Sequence, residues 1–72
     1  MQEELHSSSM IRSVEYDPDT LELRVTFRKS GKTYKSKMPV SVNLYHGLVT
    51  AKSAGTYYNA RIAGRYGMEV MG

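Results

Sequence analysis

The stretch LELRVTFR, residues 21–28, alternates apolar and polar side chains without a break. Successive side chains of a β-strand point to opposite sides of the sheet, so this alternation is typical of a strand with one buried face and one wet face. It predicts a strand whose core-facing residues are Leu21, Leu23, Val25 and Phe27. The turns, strands and helices on either side are predicted from their positions relative to this strand.

Turn-forming residues flank the strand on both sides. Residues 17–20 are Asp-Pro-Asp-Thr, and Ser30-Gly31 follows the strand. Proline, aspartate and glycine favour reverse turns because they suit the backbone angles that turns require. Residues 10–16 and 32–38 are therefore predicted as the two antiparallel neighbours of the strand.

The loop lengths also predict a register. A two-residue second loop places Phe27 opposite Tyr34, and a four-residue first loop places Glu15 opposite Glu22, which is a repulsive pair. The first strand also needs a correction, because strict alternation would turn Arg12 toward the core. A bulge near Arg12-Ser13 is predicted, since it would let Ile11 and Val14 share the buried face.

Two short helices are predicted after Pro39, which ends the sheet because proline cannot donate to a ladder. Ser41 and Ser53 are suitable N-caps, and Gly64 lies where a helix normally stops. The predicted buried stripe of the second helix is Ala54, Tyr58 and Ile62.

The predicted fold class is α+β, a three-stranded antiparallel meander followed by two short helices packed on one face (β-β-β-α-α). Residues 1–9 are polar, acidic and serine-rich, and they are predicted to form a flexible leader. Residues 10–66 are predicted as the domain, and residues 67–72 as a tail or a short edge strand.

The composition restricts the classes of function. A chain of 72 residues forms one small domain. The absence of cysteine excludes disulfides and thiolate metal sites and fits a cytoplasmic protein, and no segment has the roughly 20 apolar residues of a membrane span. His6 and His46 have no carboxylate or serine at a spacing that would form a catalytic dyad. We expect no enzyme activity, no cofactor and no metal.

The charge is unevenly distributed along the chain. Residues 1–22 contain six acidic residues and one basic residue, a net −5, whereas residues 23–72 contain nine basic residues and one acidic residue, a net +8. This asymmetry favours an anionic partner for the second part of the chain. The alternative is a basic face that serves only solubility.

Two groups of side chains are candidate nucleic-acid contacts. Tyr57, Arg61 and Arg65 recur every four residues on the second predicted helix, where they could stack on a base and pair with a phosphate. The alternative is that Tyr57 packs on the sheet and that the arginines pair with acidic residues of the first hairpin, namely Glu15, Asp17 or Asp19. The second group is predicted to form a basic patch on the outer sheet face: Arg24, Arg28, Lys35 and Lys37.

Several segments resemble the KTSC domain. The matching residues are Ser13-Val14-x-Tyr16-Asp17-Pro18, Leu23-x-Val25-x-Phe27, Tyr34, Pro39, Gly47-Leu48-Val49-x-Ala51-x-Ser53-x-Gly55-x-Tyr57-Tyr58-Asn59-x-x-Ile62 and Arg65-Tyr66. The chain departs from the family at its centre, where KTSC domains usually carry Tyr-x-Tyr and this sequence has Tyr34-Lys35-Ser36.

The resemblance implies a domain named from the C-terminus of some lysyl-tRNA synthetases, which also occurs alone in short bacterial and phage proteins. The family has no established activity, and RNA binding has been suggested from the synthetase context. Two hypotheses follow for this chain: a non-catalytic RNA-binding module, or a protein-interaction module of phage or bacterial origin that acts on an acidic partner surface. The sequence leaves the oligomeric state open.

Overall fold

A computed structural model describes Met1–Met71. The chain forms an antiparallel sheet with two helices, as the α+β prediction requires. The elements are, in chain order, β1 (Gln2–Glu4), β2 (Ile11–Asp17), β3 (Glu22–Phe27), β4 (Thr33–Lys35), α1 (Val42–Thr50), α2 (Ala54–Arg61) and β5 (Glu69–Val70).

The sheet has five strands in the order β1-β2-β3-β4-β5, so the prediction of three strands was wrong. β1 forms within residues expected to be a flexible leader, and it pairs with β2 through the register Gln2↔Glu15 to Glu4↔Ser13. β5 pairs with β4 and is the short edge strand considered for residues 67–72. Both added strands lie at sheet edges and are three residues or fewer, too short to show an alternating pattern.

The β2–β3 register differs by two residues from the predicted one. Glu15 lies opposite Arg24, an attractive pair, and Asp17 lies opposite Glu22. The shift arises because Leu21 leaves the strand and joins the turn: its φ is 62°, and its N–H donates to the Asp17 carbonyl at 2.7 Å. A shift of two residues keeps Leu23 and Val25 on their predicted buried face, whereas Leu21, predicted to face the core, is 38% exposed.

The predicted bulge in β2 is confirmed. The β2–β3 register slips between Ile11 and Ser13, and both Ile11 and Val14 are fully buried while Arg12 is exposed. One extra residue therefore restores the apolar face of this strand.

The β3–β4 register also differs by two residues, because Val25 rather than Phe27 lies opposite Tyr34. The connection is a four-residue loop that closes when the Gly31 N–H donates to the Phe27 carbonyl at 2.9 Å. Gly31 has a φ of 69°, a left-handed angle that glycine adopts without steric cost.

Ser36 ends the pairing of β4 with β3. It is 6% exposed, its N–H donates to the Leu23 carbonyl at 2.9 Å, and its Oγ accepts the Leu23 N–H at 3.0 Å. The hydroxyl thus provides the acceptor for Leu23 at this position of the ladder. No buried side-chain polar atom among the described residues is left without a partner.

Both helices begin near their predicted caps. The Ser53 Oγ accepts the Thr56 N–H at 3.3 Å, whereas Ser41 precedes α1 without a side-chain cap bond. Gly64 has a φ of 74° just beyond α2, as expected for a helix stop.

One core lies between the sheet and the helices, and the predicted stripe of α2 is part of it. The Tyr16 and Tyr45 rings stack at 5.4 Å, and the Tyr16 hydroxyl donates to the Val40 carbonyl. The buried apolar residues are Ile11, Val14, Tyr16, Leu23, Val25, Val40, Tyr45, Leu48, Ala54, Tyr58 and Ile62. Arg24 alternates with the buried Leu23 and Val25 of β3 and therefore faces outward, and Lys35, which lies directly opposite Arg24, is on the same face.

Candidate nucleic-acid interface

α2 brings Tyr57 and Arg61 into direct contact. They are four residues apart, and the Arg61 guanidinium carbon lies 5.4 Å from the centroid of the Tyr57 ring. Tyr57 is half-buried and Arg61 is exposed. This cation–π contact restrains the Arg61 side chain and leaves its N–H groups available to a ligand.

Gly47 of α1 makes room for the Tyr57 ring. A Cβ atom built on Gly47 would overlap the Tyr57 hydroxyl, and it would lie 2.6 Å from the ring carbon that carries that hydroxyl. In the sequence, Gly47 is notable only as one of the residues that resemble the KTSC domain. Its packing role depends on a contact between two helices, which no pattern within one helix reveals.

Arg65 was predicted to lie on the second helix, but α2 ends at Arg61, and Arg65 and Tyr66 are held in a defined turn that follows it. They lie between Gly64 and Gly67, whose φ angles are 74° and 63°. The Tyr66 carbonyl accepts the N–H groups of Lys37 and Met38 at 3.0 and 3.1 Å. The turn is therefore fixed to the segment that follows β4.

These elements form one open cleft of about 410 Å³, lined by Leu44, Ala60, Arg61, Arg65 and Tyr66. The structure thus brings the two predicted arginines to one site, with Tyr57 behind Arg61. Leu44 and Tyr66 were not predicted as site residues. The Arg65-Tyr66 pair among the family-like residues was the available signal for Tyr66.

The arginines of the cleft have no acidic partner within Met1–Met71. The carboxylates in this part of the chain that lie within 4.0 Å of a basic side chain contact other residues, in the ion pairs Arg24–Glu22 and Lys37–Glu69 and in a contact between Glu4 and His6. The alternative in which Arg61 and Arg65 pair with the first hairpin is therefore not what the structure shows. Their charge is available at the surface.

The outer sheet face, by contrast, carries mixed charge. Arg24 Nε lies 2.8 Å from Glu22 Oε2, and Lys37 Nζ lies 3.4 Å from Glu69 Oε2. Lys35 lies between Arg24 and Glu69 in the strand register. Glutamates therefore lie within the predicted basic patch. Glu22 is two residues from Arg24 on the same strand, and the pairing of β5 with β4 brings Glu69 beside Lys35.

The Arg28 side chain donates hydrogen bonds to backbone carbonyl groups. Its Nε donates to the Ser8 carbonyl at 3.0 Å, and its Nη2 donates to the Leu5 and Ile11 carbonyls at 2.8 and 3.4 Å. The side chain thus fastens the turn between β1 and β2 to the β3–β4 hairpin. It does not join the cleft.

Two further kinds of site were sought in the described part of the chain. Residues 1–71 contain no cluster of three or more His, Asp or Glu side chains that could hold a metal ion. Neither helix in this range has the length and apolar character needed to cross a bilayer.

Comparison with known proteins identifies the family. No curated protein matches the chain. A crystal structure of a KTSC domain protein from Yersinia pestis is 30% identical, with a TM-score of 0.88, and the match covers 100% of this chain and 97% of that one. The KTSC domain model matches residues 7–66, which include β2 to β4 and both helices. The resemblance noted in the sequence is confirmed, and the chain belongs to the KTSC domain family.

Proposed function

We propose that the protein is a small, non-catalytic module that binds RNA through the surface of α2 and the turn that follows it. The contacting side chains are Arg61 and Arg65, with Tyr57 supporting Arg61. The single observation that carries the proposal is that both guanidinium groups border one cleft and have no carboxylate partner among residues 1–71.

The chemistry of the cleft suits a nucleic acid. Guanidinium groups bind phosphate oxygens through paired hydrogen bonds, and they remain charged at all physiological pH values. The apolar and aromatic lining formed by Leu44, Ala60 and Tyr66 suits a base or sugar. Because a permanently protonated guanidinium is no general base at neutral pH, the proposal includes no catalysis.

In this proposal the cations of the sheet contribute less to RNA binding than the cleft does; these cations are Arg24, Arg28, Lys35 and Lys37. Arg24 and Lys37 already interact with glutamates, and Arg28 is bonded to backbone carbonyls. They can add long-range attraction to a polyanion, which falls off with salt. The main phosphate contacts are assigned to the cleft.

Fluorescence anisotropy with a labelled single-stranded RNA tests the proposal. Arg61→Ala/Arg65→Ala should weaken binding by about tenfold or more, and it should lower the salt slope by about 1.4, since each lost phosphate contact removes about 0.7. Arg24→Ala/Lys37→Ala removes the same charge from the sheet and is the matched control. An equal loss in both variants, or no salt-dependent binding by the unaltered protein, would contradict the proposal.

The second candidate is a protein-interaction module of phage or bacterial origin that acts on an acidic partner. It is supported by apolar side chains exposed around Val40, where Met38 is 54% and Val42 39% exposed, and by the two open edges of the sheet. A partner retained after nuclease treatment and in high salt would favour this candidate. Loss of the partner on nuclease treatment would favour RNA.

A further inference from the structure

We infer that the cleft holds one unstacked nucleotide of a single-stranded nucleic acid, with Tyr66 as the surface on which the base stacks. In this arrangement Tyr57 is a positioning residue for Arg61 and makes no stacking contact. The inference rests on the proposed function and adds the form of nucleic acid and the residue that selects it.

Tyr57 is poorly placed to stack on a base. The Arg61 guanidinium lies over its ring, and its hydroxyl end is packed against Gly47. A base could not reach the covered face without displacing Arg61, so the Tyr57 ring serves to hold that side chain in place.

Tyr66 differs from Tyr57 in its position at the cleft. It lines the cleft together with the two arginines, although it is half-buried as Tyr57 is. Its main chain is fixed by the two hydrogen bonds from Lys37 and Met38. A ring carried on a fixed main chain at the wall of a cleft loses less conformational freedom when it stacks on a base than one on a mobile segment.

The two arginines complete a site for one nucleotide. Arg61 is restrained by Tyr57, and Arg65 is fixed at its backbone by an N–H donated to the Ile62 carbonyl at 3.1 Å. A base stacked on Tyr66 would keep its phosphate within the same cleft as both guanidinium groups. Each guanidinium can form paired bonds to phosphate oxygens.

The size of the cleft favours an unpaired base. Its volume of about 410 Å³ falls at the lower end of the roughly 300–1,000 Å³ that is typical of small-ligand sites. Bases within a duplex are stacked on both sides and do not offer a free face to an aromatic side chain. The ligand is therefore expected to be a single strand, a loop or a strand end.

The test is a titration of the ¹⁵N-labelled protein with three ligands: a single-stranded trinucleotide, a nucleoside 5′-monophosphate and a short duplex. We expect the trinucleotide to shift the amide signals of Leu44 and residues 60–66, and the monophosphate to shift the same signals with weaker affinity. Shifts confined to the sheet, or tighter binding of the duplex, would overturn the inference. A monophosphate that binds as tightly as the trinucleotide would overturn the assignment to nucleic acid.

Variants of Tyr66 make the test specific. Tyr66→Leu keeps an apolar side chain and should weaken trinucleotide binding roughly five- to hundredfold, the range expected for one lost base stack. Tyr66→Phe keeps the ring and should bind like the unaltered protein. Equal binding by all three proteins would overturn the inference.

A longer RNA separates this inference from the proposed function. If the unaltered protein binds the longer RNA in a salt-dependent way and Tyr66→Leu binds it equally well, only the one-nucleotide site is wrong. If the unaltered protein binds none of the nucleic acids, the proposed function is wrong as well.

Discussion

The cations of the sheet and those of the second helix are the same residue types in different surroundings. On the sheet, Arg24 and Lys37 lie beside glutamates. At the end of α2, Arg61 lies over a tyrosine ring and Arg65 is exposed beside it. Net charge along the sequence therefore says little about which cations are available to a ligand.

The difference originates in how each element is paired. Antiparallel strands bring residues distant in sequence side by side, so the acids of β2 and β5 come to lie opposite the bases of β3 and β4. Alternation along β3 also places Glu22 on the same face as Arg24, two residues away. Helix neighbours lie three or four residues apart, and residues 54–65 contain no acid. The arginines near the C-terminus of α2 therefore keep their charge exposed.

The largest effect is expected for Gly47→Ala, a substitution that disturbs the support of the helix cation. The added methyl group overlaps the Tyr57 hydroxyl, so the ring must move and Arg61 loses its support. We expect a loss of about 1–3 kcal/mol in the free energy of unfolding, together with weaker RNA binding. Thermal unfolding followed by circular dichroism measures the first effect, and anisotropy measures the second.

The control for this prediction is the same substitution without the ring. In a Tyr57→Ala background, Gly47→Ala should stabilise the protein by up to about 1 kcal/mol, because alanine favours a helix more than glycine does. Destabilisation by a similar amount in both backgrounds would contradict the role assigned to Gly47.

Arg28→Ala removes contacts of a cation beside the sheet. It should lower the free energy of unfolding by less than Gly47→Ala does. It removes the hydrogen bonds to the carbonyls of Leu5 and Ser8, for which we expect a loss of about 1–2 kcal/mol, since bonds to charged groups contribute more than neutral ones. Arg24→Ala loses only an ion pair, worth about 0.2–1 kcal/mol. Hydrogen exchange of the Leu5 amide should accelerate in Arg28→Ala alone, and equal acceleration in both would contradict the distinction.

Neutralising the glutamates of the outer sheet face should make that face basic, so that its RNA binding can be compared with that of the cleft. Glu22→Gln/Glu69→Gln frees Arg24 and Lys37, and we expect RNA to bind a few-fold more tightly at low salt, with the gain lost at high salt. Glu3→Gln/Asp19→Asn changes the net charge equally and leaves both ion pairs in place. A gain of the same size in this control would show that only net charge matters.

The smallest expected effect is on the pH dependence of the free energy of unfolding. Burial raises the pKa of Tyr58 above its ordinary value of 10.0, with a smaller contribution from Tyr34. The unfolded chain then ionises first, so stability is unaffected below pH 10 and falls above it. Denaturation at a series of pH values should show a shallower decline for Tyr58→Phe, and an unchanged profile would contradict this cause.

The sequence predicted the central part of the fold well, and the edges escaped prediction for a physical reason. Alternation identifies a strand that buries one face, as β3 does, and the bulge followed from the need to bury both Ile11 and Val14. β1 and β5 are stabilised by backbone pairing with a neighbour that is already present, and they bury little. Such strands leave almost no pattern in their own residues.

The candidate site was predicted in part. Helical spacing grouped Tyr57 with Arg61 correctly, because that contact is local to one helix. The spacing could not show that Gly47 lies against Tyr57 or that Tyr66 lines the same cleft, since both depend on tertiary packing. The Lys37–Glu69 pair was missed because it depends on the pairing of β5 with β4, whereas Arg24 and Glu22 lie two residues apart on one strand.

The buried hydroxyl of Ser36 has a consequence for divergence within the family. Since Leu23 depends on this oxygen for its hydrogen bond, a change to tyrosine at position 36 would orphan a main-chain donor and force a phenol ring into occupied space. We therefore expect a tyrosine at this position to require coordinated replacements in the surrounding interior.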